Sequence, residues 1–138
     1  MRKKRERRGF TLIELMVVIL IVGILAAVAV PILRGKIDSA KWSEAAASAG
    51  AIKSAVRAAF AEDPTTVDAW AAQAVSGVAV TLGFKAGDLT GRYFTVANFT
   101  IDSVDSTGRA VISVTAGAGL TGTGQLDDAS GWVYTPAP

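Results

Sequence analysis

One acidic side chain, Glu14, directly precedes an uncharged apolar run that extends from Leu15 to Leu33. A carboxylate in a membrane-length apolar segment is costly, by about 2.5–3.5 kcal/mol when it lies at the centre of the helix. An intramembrane charge of this kind is by default a functional residue, and we expect its partner to be a cation. The candidate chemistry of the chain is therefore ion pairing in apolar surroundings.

Catalytic chemistry finds little support elsewhere in the sequence. The chain has no His and no Cys, which removes the commonest general base and metal ligand as well as thiol and disulfide chemistry. A nucleophile would need a lysine or a carboxylate as its base, and no pair of carboxylates has a recognisable acid–base spacing. We therefore predict that the protein is not an enzyme.

Basic residues are concentrated at the N-terminus. Residues 1–9 hold six of the 14 Lys and Arg and one acid, which leaves eight basic and eleven acidic side chains in residues 10–138. The formal charge of +2 is thus a local property, and it indicates no nucleic-acid partner. The 19-residue apolar run would measure about 28 Å as a helix, close to the ~30 Å hydrocarbon core of a membrane. The positive-inside rule then places the N-terminus in the cytoplasm and the chain after Arg34 outside.

Two general explanations of this N-terminus leave some of its residues without a role. A secretory signal peptide would have a basic start, an apolar stretch and a small-residue cleavage site, which Ala27-Val28-Ala29 could provide. The apolar run is long for such a segment, however, and Glu14 falls where a signal peptide would tolerate it least. A simple signal anchor accounts for length and orientation but explains neither Glu14 nor the abrupt junction between Gly9 and Phe10.

The segment Gly9-Phe10-Thr11-Leu12-Ile13-Glu14-Leu15 resembles the processing signature of type IV pilins and of the pseudopilins of type II secretion, which are made as prepilins with a class III signal peptide. The resemblance covers about the first 60 residues. It implies that a prepilin peptidase cleaves after Gly9 and methylates the new amino group of Phe10. It also implies that Glu14 pairs with the Phe10 amine of a neighbouring subunit during filament assembly.

The resemblance implies a structural subunit of a type IV pilus-like filament as the leading function. Its partners would be further copies in a homo-oligomeric helical filament, the membrane lipid before assembly, and an inner-membrane assembly platform with its ATPase. The alternatives are a type II secretion pseudopilin and a non-polymerising, membrane-anchored binding module. The precursor would lie in the bacterial inner membrane with its head in the periplasm, and the filament would be extracellular or periplasmic.

The predicted fold is α+β, with a long N-terminal helix packed against a small antiparallel sheet. We divide the chain into a cleaved basic leader (1–9), a membrane-spanning and filament-core helix half (10–33) and a head (34–138). One helix is predicted from Phe10 to Ala61, with Gly23 and Pro31 as a hinge or an ordinary membrane-helix kink. Apolar residues recur at helical spacing in its second half and predict one buried stripe: Trp42, Ala45, Ala49, Ile52, Val56 and Phe60.

The segment after Pro64 is predicted to be a short connector. Thr65 and Asp68 have the spacing of a capping box, which predicts a helix from there to about Val75. Trp70 is expected to pack in the core beneath it. Residues 78–82 fit either a strand or an extension of this connector.

Alternating polar and apolar residues predict a C-terminal sheet. Residues 97–102 and 110–116 alternate and flank Asp105-Ser106-Thr107-Gly108, which fits a type I turn, so they predict a hairpin. The glycine-rich segment 117–124 is expected to be a surface loop. A final strand is predicted at 131–134, with Trp132 and Tyr134 on one face.

The head offers one weak candidate for a bound ion. Asp127 and Asp128, with Asp102 or Asp105, are the acidic candidates for calcium, although they show no recognisable loop pattern. The resemblance to the pilin family suggests such a site, because some major pseudopilins use a C-terminal calcium site where pilins use a disulfide. A solvent-exposed turn is the competing interpretation, and no other cofactor is expected. The basic residues of the head are interpreted as isolated, solvated charges: Lys85, Arg92 and Arg109.

Overall fold

The structure is a computed structural model, and it describes residues 9–137. The helices are α1 (Leu12–Glu62), α2 (Pro64–Asp68) and α3 (Val75–Val78), with one 3-10 turn at Val96–Asn98. The strands are β1 (Gln73–Ala74), β2 (Phe99–Val104), β3 (Ala110–Thr115), β4 (Thr123–Asp127) and β5 (Gly131–Thr135). The described residues divide into two compact units, 9–37 and 38–137. The predicted leader lies outside the described residues except for Gly9.

The first unit consists of the N-terminal part of α1 and the three residues before it. Every residue from Gly9 to Ile37 is exposed, including all of the large apolar side chains. Among the described residues, α1 is the one helix long and apolar enough to cross a membrane. None of its most apolar window is buried within the protein, which distinguishes it from the core helix of a soluble domain.

The second unit begins with the rest of α1, whose apolar stripe forms one side of the core. Trp42, Ala45, Ala49, Ile52 and Val56 are all buried, as their three- and four-residue spacing predicts. Phe60, the last residue of the predicted stripe, packs at its edge and is only partly buried. The helix prediction is confirmed, because α1 ends at Glu62 and the predicted end was Ala61.

The connector after α1 differs from its prediction. The cap of α2 is Asp63, whose carboxylate accepts hydrogen bonds from the Thr65 amide and hydroxyl at 2.9 and 2.7 Å. Thr65 is therefore inside the helix, because Pro64 takes the first helical position, where its missing N–H costs nothing. The helix ends at Asp68, well before the predicted Val75, and the chain turns through Ala72, whose φ is +61°.

The remainder of the connector is short and irregular, although Trp70 is buried as predicted. Residues 73–74 add the two-residue strand β1 to the edge of the sheet, which the sequence did not indicate. Residues 78–82 form the end of α3 and the turns after it, so the connector interpretation holds there and the strand interpretation does not.

The sheet is an antiparallel meander in the order β1-β2-β3-β4-β5. The predicted hairpin is present as β2 and β3, and its turn is closed by a hydrogen bond from the Gly108 amide to the Asp105 carbonyl at 3.0 Å. Phe99, Ile101, Ile112 and Val114 are fully buried on the inner face. A register shift between Ile101 and Ser103 marks an irregularity that strict alternation does not predict.

Strand β4 is the main omission of the sequence-based prediction. It starts at Thr123, inside the segment 117–124 that was predicted to be a loop. Its sequence, Thr-Gly-Gln-Leu-Asp, has no apolar alternation. Gly124 is buried because the rings of Trp132 and Trp42 occupy the space where a side chain would lie.

Aromatic rings join the last strand to α1. The ring centroid of Trp42 lies 4.8 Å from Tyr134, 6.2 Å from Trp132 and 5.0 Å from Phe94. The prediction that Trp132 and Tyr134 share one face is therefore confirmed. Tilted aromatic pairs at such distances contribute about 0.5–1.5 kcal/mol each beyond area burial.

The absence of a side chain at Gly117 allows the segment before β2 to approach the loop after β3 closely. The Ala118 amide donates to the Tyr93 carbonyl at 3.2 Å, and a Cβ atom at Gly117 would overlap that carbonyl oxygen. Gly117→Ala should therefore lower the free energy of unfolding by about 2 kcal/mol, since backbone atoms cannot move away cheaply. Denaturant unfolding followed by tryptophan fluorescence measures this. Gly77→Ala is the matched control, because a Cβ at Gly77 meets no atom within 4 Å; equal effects of the two substitutions would contradict the prediction.

Candidate functional site

The acidic residue singled out by the sequence is part of a cap at the start of α1. The Thr11 amide and hydroxyl donate hydrogen bonds to Oε2 of Glu14 at 2.9 and 2.8 Å. In return, the Glu14 amide donates to the Thr11 hydroxyl at 3.3 Å. These reciprocal bonds form a capping box, which satisfies amides that have no partner within the helix.

This capping box was not predicted, although the sequence contains its pattern. Thr11-Leu12-Ile13-Glu14 has the Thr-x-x-Glu spacing of a capping box directly before an apolar helix. The cap places the carboxylate within the first helical turn, where the helix dipole favours negative charge. Glu14 therefore has two compatible properties: it helps α1 to begin, and it presents a negative charge at the apolar end of that helix.

The Gly9–Phe10 peptide bond lies outside the helix. Residues 9–11 have no regular secondary structure, and α1 begins at Leu12. Phe10 is 92% exposed, and Gly9 has no side chain to obstruct a cleft. An exposed junction outside the helix is accessible to a protease, since its backbone is free of helical hydrogen bonds.

Gly23 and Pro31 both lie within α1 and are exposed. Pro31 lacks the amide that would donate to the Ala27 carbonyl, so one helical hydrogen bond is missing there. A Cβ at Gly23 would meet no atom within 4 Å, so packing inside the protein does not require a glycine at this position. The hinge between them stays a prediction.

The four acidic residues proposed for calcium are divided between two places. Asp102 lies on β2 and accepts hydrogen bonds from Ser113 at 2.7 Å and Gln125 at 3.2 Å. Asp105, Asp127 and Asp128 line one cleft of about 320 Å³ beside the β2–β3 turn. Among the described residues, no group of three or more acidic, His or Cys side chains has the arrangement of a metal site.

Two of these carboxylates serve their own turns. Asp105 accepts hydrogen bonds from Thr107 and from the Arg109 amide, and the Thr107 hydroxyl is the main cause of its lowered pKa. Asp127 accepts from the amides of Ala129 and Ser130, and the Ser130 hydroxyl is the main cause of its lowered pKa. A calcium ion at either residue would compete with these bonds.

Asp128 pairs with cations from elsewhere in the chain. It contacts Nζ of Lys53, Nη2 of Arg57 at 3.0 Å and Nε of Arg109 at 3.3 Å. The interpretation of Arg109 as an isolated charge is therefore wrong, because the turn after β2 brings it beside α1. Arg92 is also engaged, since its guanidinium lies 5.6 Å from the Tyr93 ring centroid.

Glu44 is a structural carboxylate that the sequence did not identify. Its Oε1 accepts hydrogen bonds from the amides of Tyr93 and Phe94 at 3.0 and 3.1 Å, and its Oε2 accepts from Arg92 at 3.2 Å. This contact joins α1 to a segment nearly fifty residues away. No local pattern predicts it, because the partners are backbone amides.

Comparison with known proteins assigns the N-terminal segment. Residues 4–30 match the family model described as the prokaryotic N-terminal methylation motif. The fimbrial protein EcpC of Eikenella corrodens is 41% identical over 83 residues, which cover 59% of this chain and 52% of that protein. No solved structure matches the chain.

Two further relatives have names that give them different roles. The type IV major alpha-pilin of Moraxella bovis is 46% identical over 61 residues, 44% of this chain and 38% of the pilin. The type II secretion system core protein G of Pseudomonas aeruginosa is 46% identical over 54 residues, 39% of this chain and 38% of that protein. The chain therefore spans about half, or less, of the length of the curated relatives it matches.

Proposed function

The chain belongs to the family of type IV pilins and type II secretion pseudopilins, and from this premise we propose that it is a structural subunit of a type IV pilus-like filament. The observation that carries the proposal is Glu14. This single carboxylate lies at the start of an exposed apolar helix, directly after a Gly9–Phe10 junction that is free of helical structure. Its role is to form an ion pair and not to catalyse a reaction.

Processing is the first proposed step. A prepilin peptidase cleaves the bond between Gly9 and Phe10 on the cytoplasmic side, and the basic residues of the leader hold that end at the anionic membrane surface. Cleavage exposes a positively charged amine on Phe10, which is then methylated. The products are a leader of residues 1–9 and a mature chain that begins with a cation four residues before its carboxylate.

Assembly is the second proposed step. An inner-membrane platform and its ATPase extract the mature chain from the lipid, and the Glu14 carboxylate pairs with the Phe10 amine of a neighbouring copy. Such a pair adds little net stability, because desolvation offsets the attraction. Its value is registry, since only one axial stagger of the helices neutralises both charges. A hinge at Gly23 and Pro31 would let α1 adjust when the helices pack.

A type II secretion pseudopilin is the second candidate, and the similarity to core protein G of Pseudomonas aeruginosa supports it. The two candidates share processing and assembly but differ in what their loss causes. Deletion that abolishes twitching, adhesion or DNA uptake would favour the pilus. Deletion that leaves exported proteins in the periplasm would favour the pseudopilus.

Mass spectrometry of sheared surface filaments tests the proposal. We expect an N-terminal peptide that begins with methylated Phe10, because cleavage after Gly9 and methylation both precede assembly. The same measurement on the membrane fraction gives the ratio of precursor to mature chain. A mature protein that still begins at Met1, or one that never leaves the membrane, would contradict the proposal and favour a non-polymerising, membrane-anchored binding module.

A further inference from the structure

Three cations from two separate parts of the chain meet at one carboxylate. Lys53 and Arg57 lie one turn apart on α1, and Arg109 follows the β2–β3 turn. All three contact Asp128, which lies in the turn between β4 and β5. We refer to Lys53, Arg57, Arg109 and Asp128 as the hairpin clamp.

The clamp differs from an ordinary surface ion pair. A single exposed pair contributes little, because solvent screens it and two long side chains must be ordered. Here several charges form a network in which the Lys53 side chain is 14% exposed and Asp128 33%, whereas Arg57 and Arg109 are 57% and 59% exposed and contribute less. The two α1 cations are also far from Asp128 in the sequence, by 71 positions for Arg57 and more for Lys53. The clamp therefore links separate elements of the fold and does not stabilise one element alone.

The hairpin clamp lies at the turn of the C-terminal hairpin, which is formed by β4 and β5. Strand β5 is at the edge of the sheet, and within residues 9–137 it pairs with β4 alone. Trp132 and Tyr134 pack against Trp42 and fix the strands of this hairpin. Asp128 fixes its turn, so the hairpin is attached to α1 both along its strands and at its tip.

We propose that the hairpin clamp closes the C-terminal hairpin onto α1 without a bound calcium ion. In it, the positive charges of Lys53, Arg57 and Arg109 neutralise the Asp128 carboxylate, as a bound cation would. A divalent cation that approached Asp128 would meet three cationic groups that already lie within 3.3 Å of this carboxylate, and like-charge repulsion would oppose its binding. The chain has no Cys, so a disulfide cannot make this connection. The inference rests on the fold of the head and does not require the proposed function.

Acid and salt should both weaken the clamp. The groups that face Asp128 are Lys53 and Arg57 from α1, Arg109 and Asp105 from the β2–β3 turn, and Asp127 from its own turn. The hydrogen bond from Lys53 is the main cause that holds the pKa of Asp128 below its ordinary value. A carboxylate with a lowered folded-state pKa contributes stability above its unfolded-state pKa and loses it as the pH falls through the folded-state value.

The test compares Asp128→Asn with Asp38→Asn in the full-length chain in detergent. Asp38 pairs with Lys41 at 3.1 Å on α1 and is the matched control, because it is also an ion-paired aspartate but its partner lies one turn away in the same helix. We expect Asp128→Asn to lower the thermal midpoint by about 5 °C and Asp38→Asn to leave it within about 1 °C. Hydrogen exchange of residues 123–135 should become about tenfold faster in Asp128→Asn alone.

Calcium chloride, a chelator and sodium chloride complete the experiment on the unmodified chain. Molar sodium chloride should lower the thermal midpoint, whereas millimolar calcium and a chelator should leave it unchanged. A midpoint that rises with calcium or falls with the chelator would overturn the proposal in favour of a metal site. If the two variants had equal thermal midpoints and equal hydrogen exchange, the proposal would be overturned, and the Asp128 turn would be a surface turn that does not contribute to stability.

Discussion

Glu14→Ala is expected to abolish assembled filaments while cleavage after Gly9 continues. The reason is charge: after the proposed cleavage, the mature chain would carry a cation at Phe10, and in the variant this cation would lie among apolar helices without a partner. Removing one member of a buried ion pair leaves an uncompensated charge and costs about 3–5 kcal/mol at each contact. Repeated at every subunit, this cost should reduce sheared filaments below detection on an immunoblot, while the mature chain accumulates in the membrane.

Glu14→Gln separates the charge of Glu14 from its capping role. A glutamine can still accept the hydrogen bonds that Thr11 donates to Oε2, at 2.9 and 2.8 Å in the present structure, so α1 should begin as before. We expect Glu14→Gln to fail in assembly as completely as Glu14→Ala. Filaments formed by Glu14→Gln in normal amount would show that the cap matters and that the registry pair does not.

Glu44→Ala is expected to lower the free energy of unfolding of the head by about 3 kcal/mol. The substitution removes the acceptor of three consecutive amides, at Arg92, Tyr93 and Phe94. Hydrogen bonds to a charged group contribute about 1.5–3 kcal/mol each, and amides that lose a partner keep their desolvation cost. Urea unfolding of the full-length chain in detergent, followed by tryptophan fluorescence, measures the change.

Two variants calibrate the Glu44 result. Glu44→Gln keeps an oxygen that can accept from Tyr93 and Phe94, so its loss should be about 1 kcal/mol. Glu62→Ala removes an exposed carboxylate at the end of the same helix and should change the stability by less than about 0.5 kcal/mol. If Glu44→Ala were no more destabilising than Glu62→Ala, the contact with the segment before β2 would not contribute to stability.

Elements with a repeated apolar pattern could be predicted from the sequence. The helix α1 and its buried stripe follow from residues spaced three and four apart, and β2 and β3 follow from strict alternation. Strand β4 could not be predicted in this way, because Gly124 is buried by the rings of Trp132 and Trp42 and not by a side chain of its own. The residues that bury this strand belong to α1 and β5, so its own sequence does not show that it is a strand.

The candidate site was predictable where its chemistry is local. Glu14 is conspicuous because an isolated charge before an apolar run is costly, and Thr11 could have been found from the same four residues. The roles of Glu44 and Asp128 were not predictable, since their partners are distant in the sequence. The cap of α2 was misplaced because two candidates, Asp63 and Thr65, flank Pro64, and only the backbone conformation decides between them.

The strand order of the sheet has a consequence for how the head is made. Each of the strands β2 to β5 pairs with the strand that precedes it in the chain. Because β3, β4 and β5 each pair with the strand just before them across a short connection, this part of the sheet can form strand by strand from β2, with a small loop-closure cost at each step. The C-terminal sheet can therefore form in the order in which the chain is synthesised, without waiting for a distant partner strand.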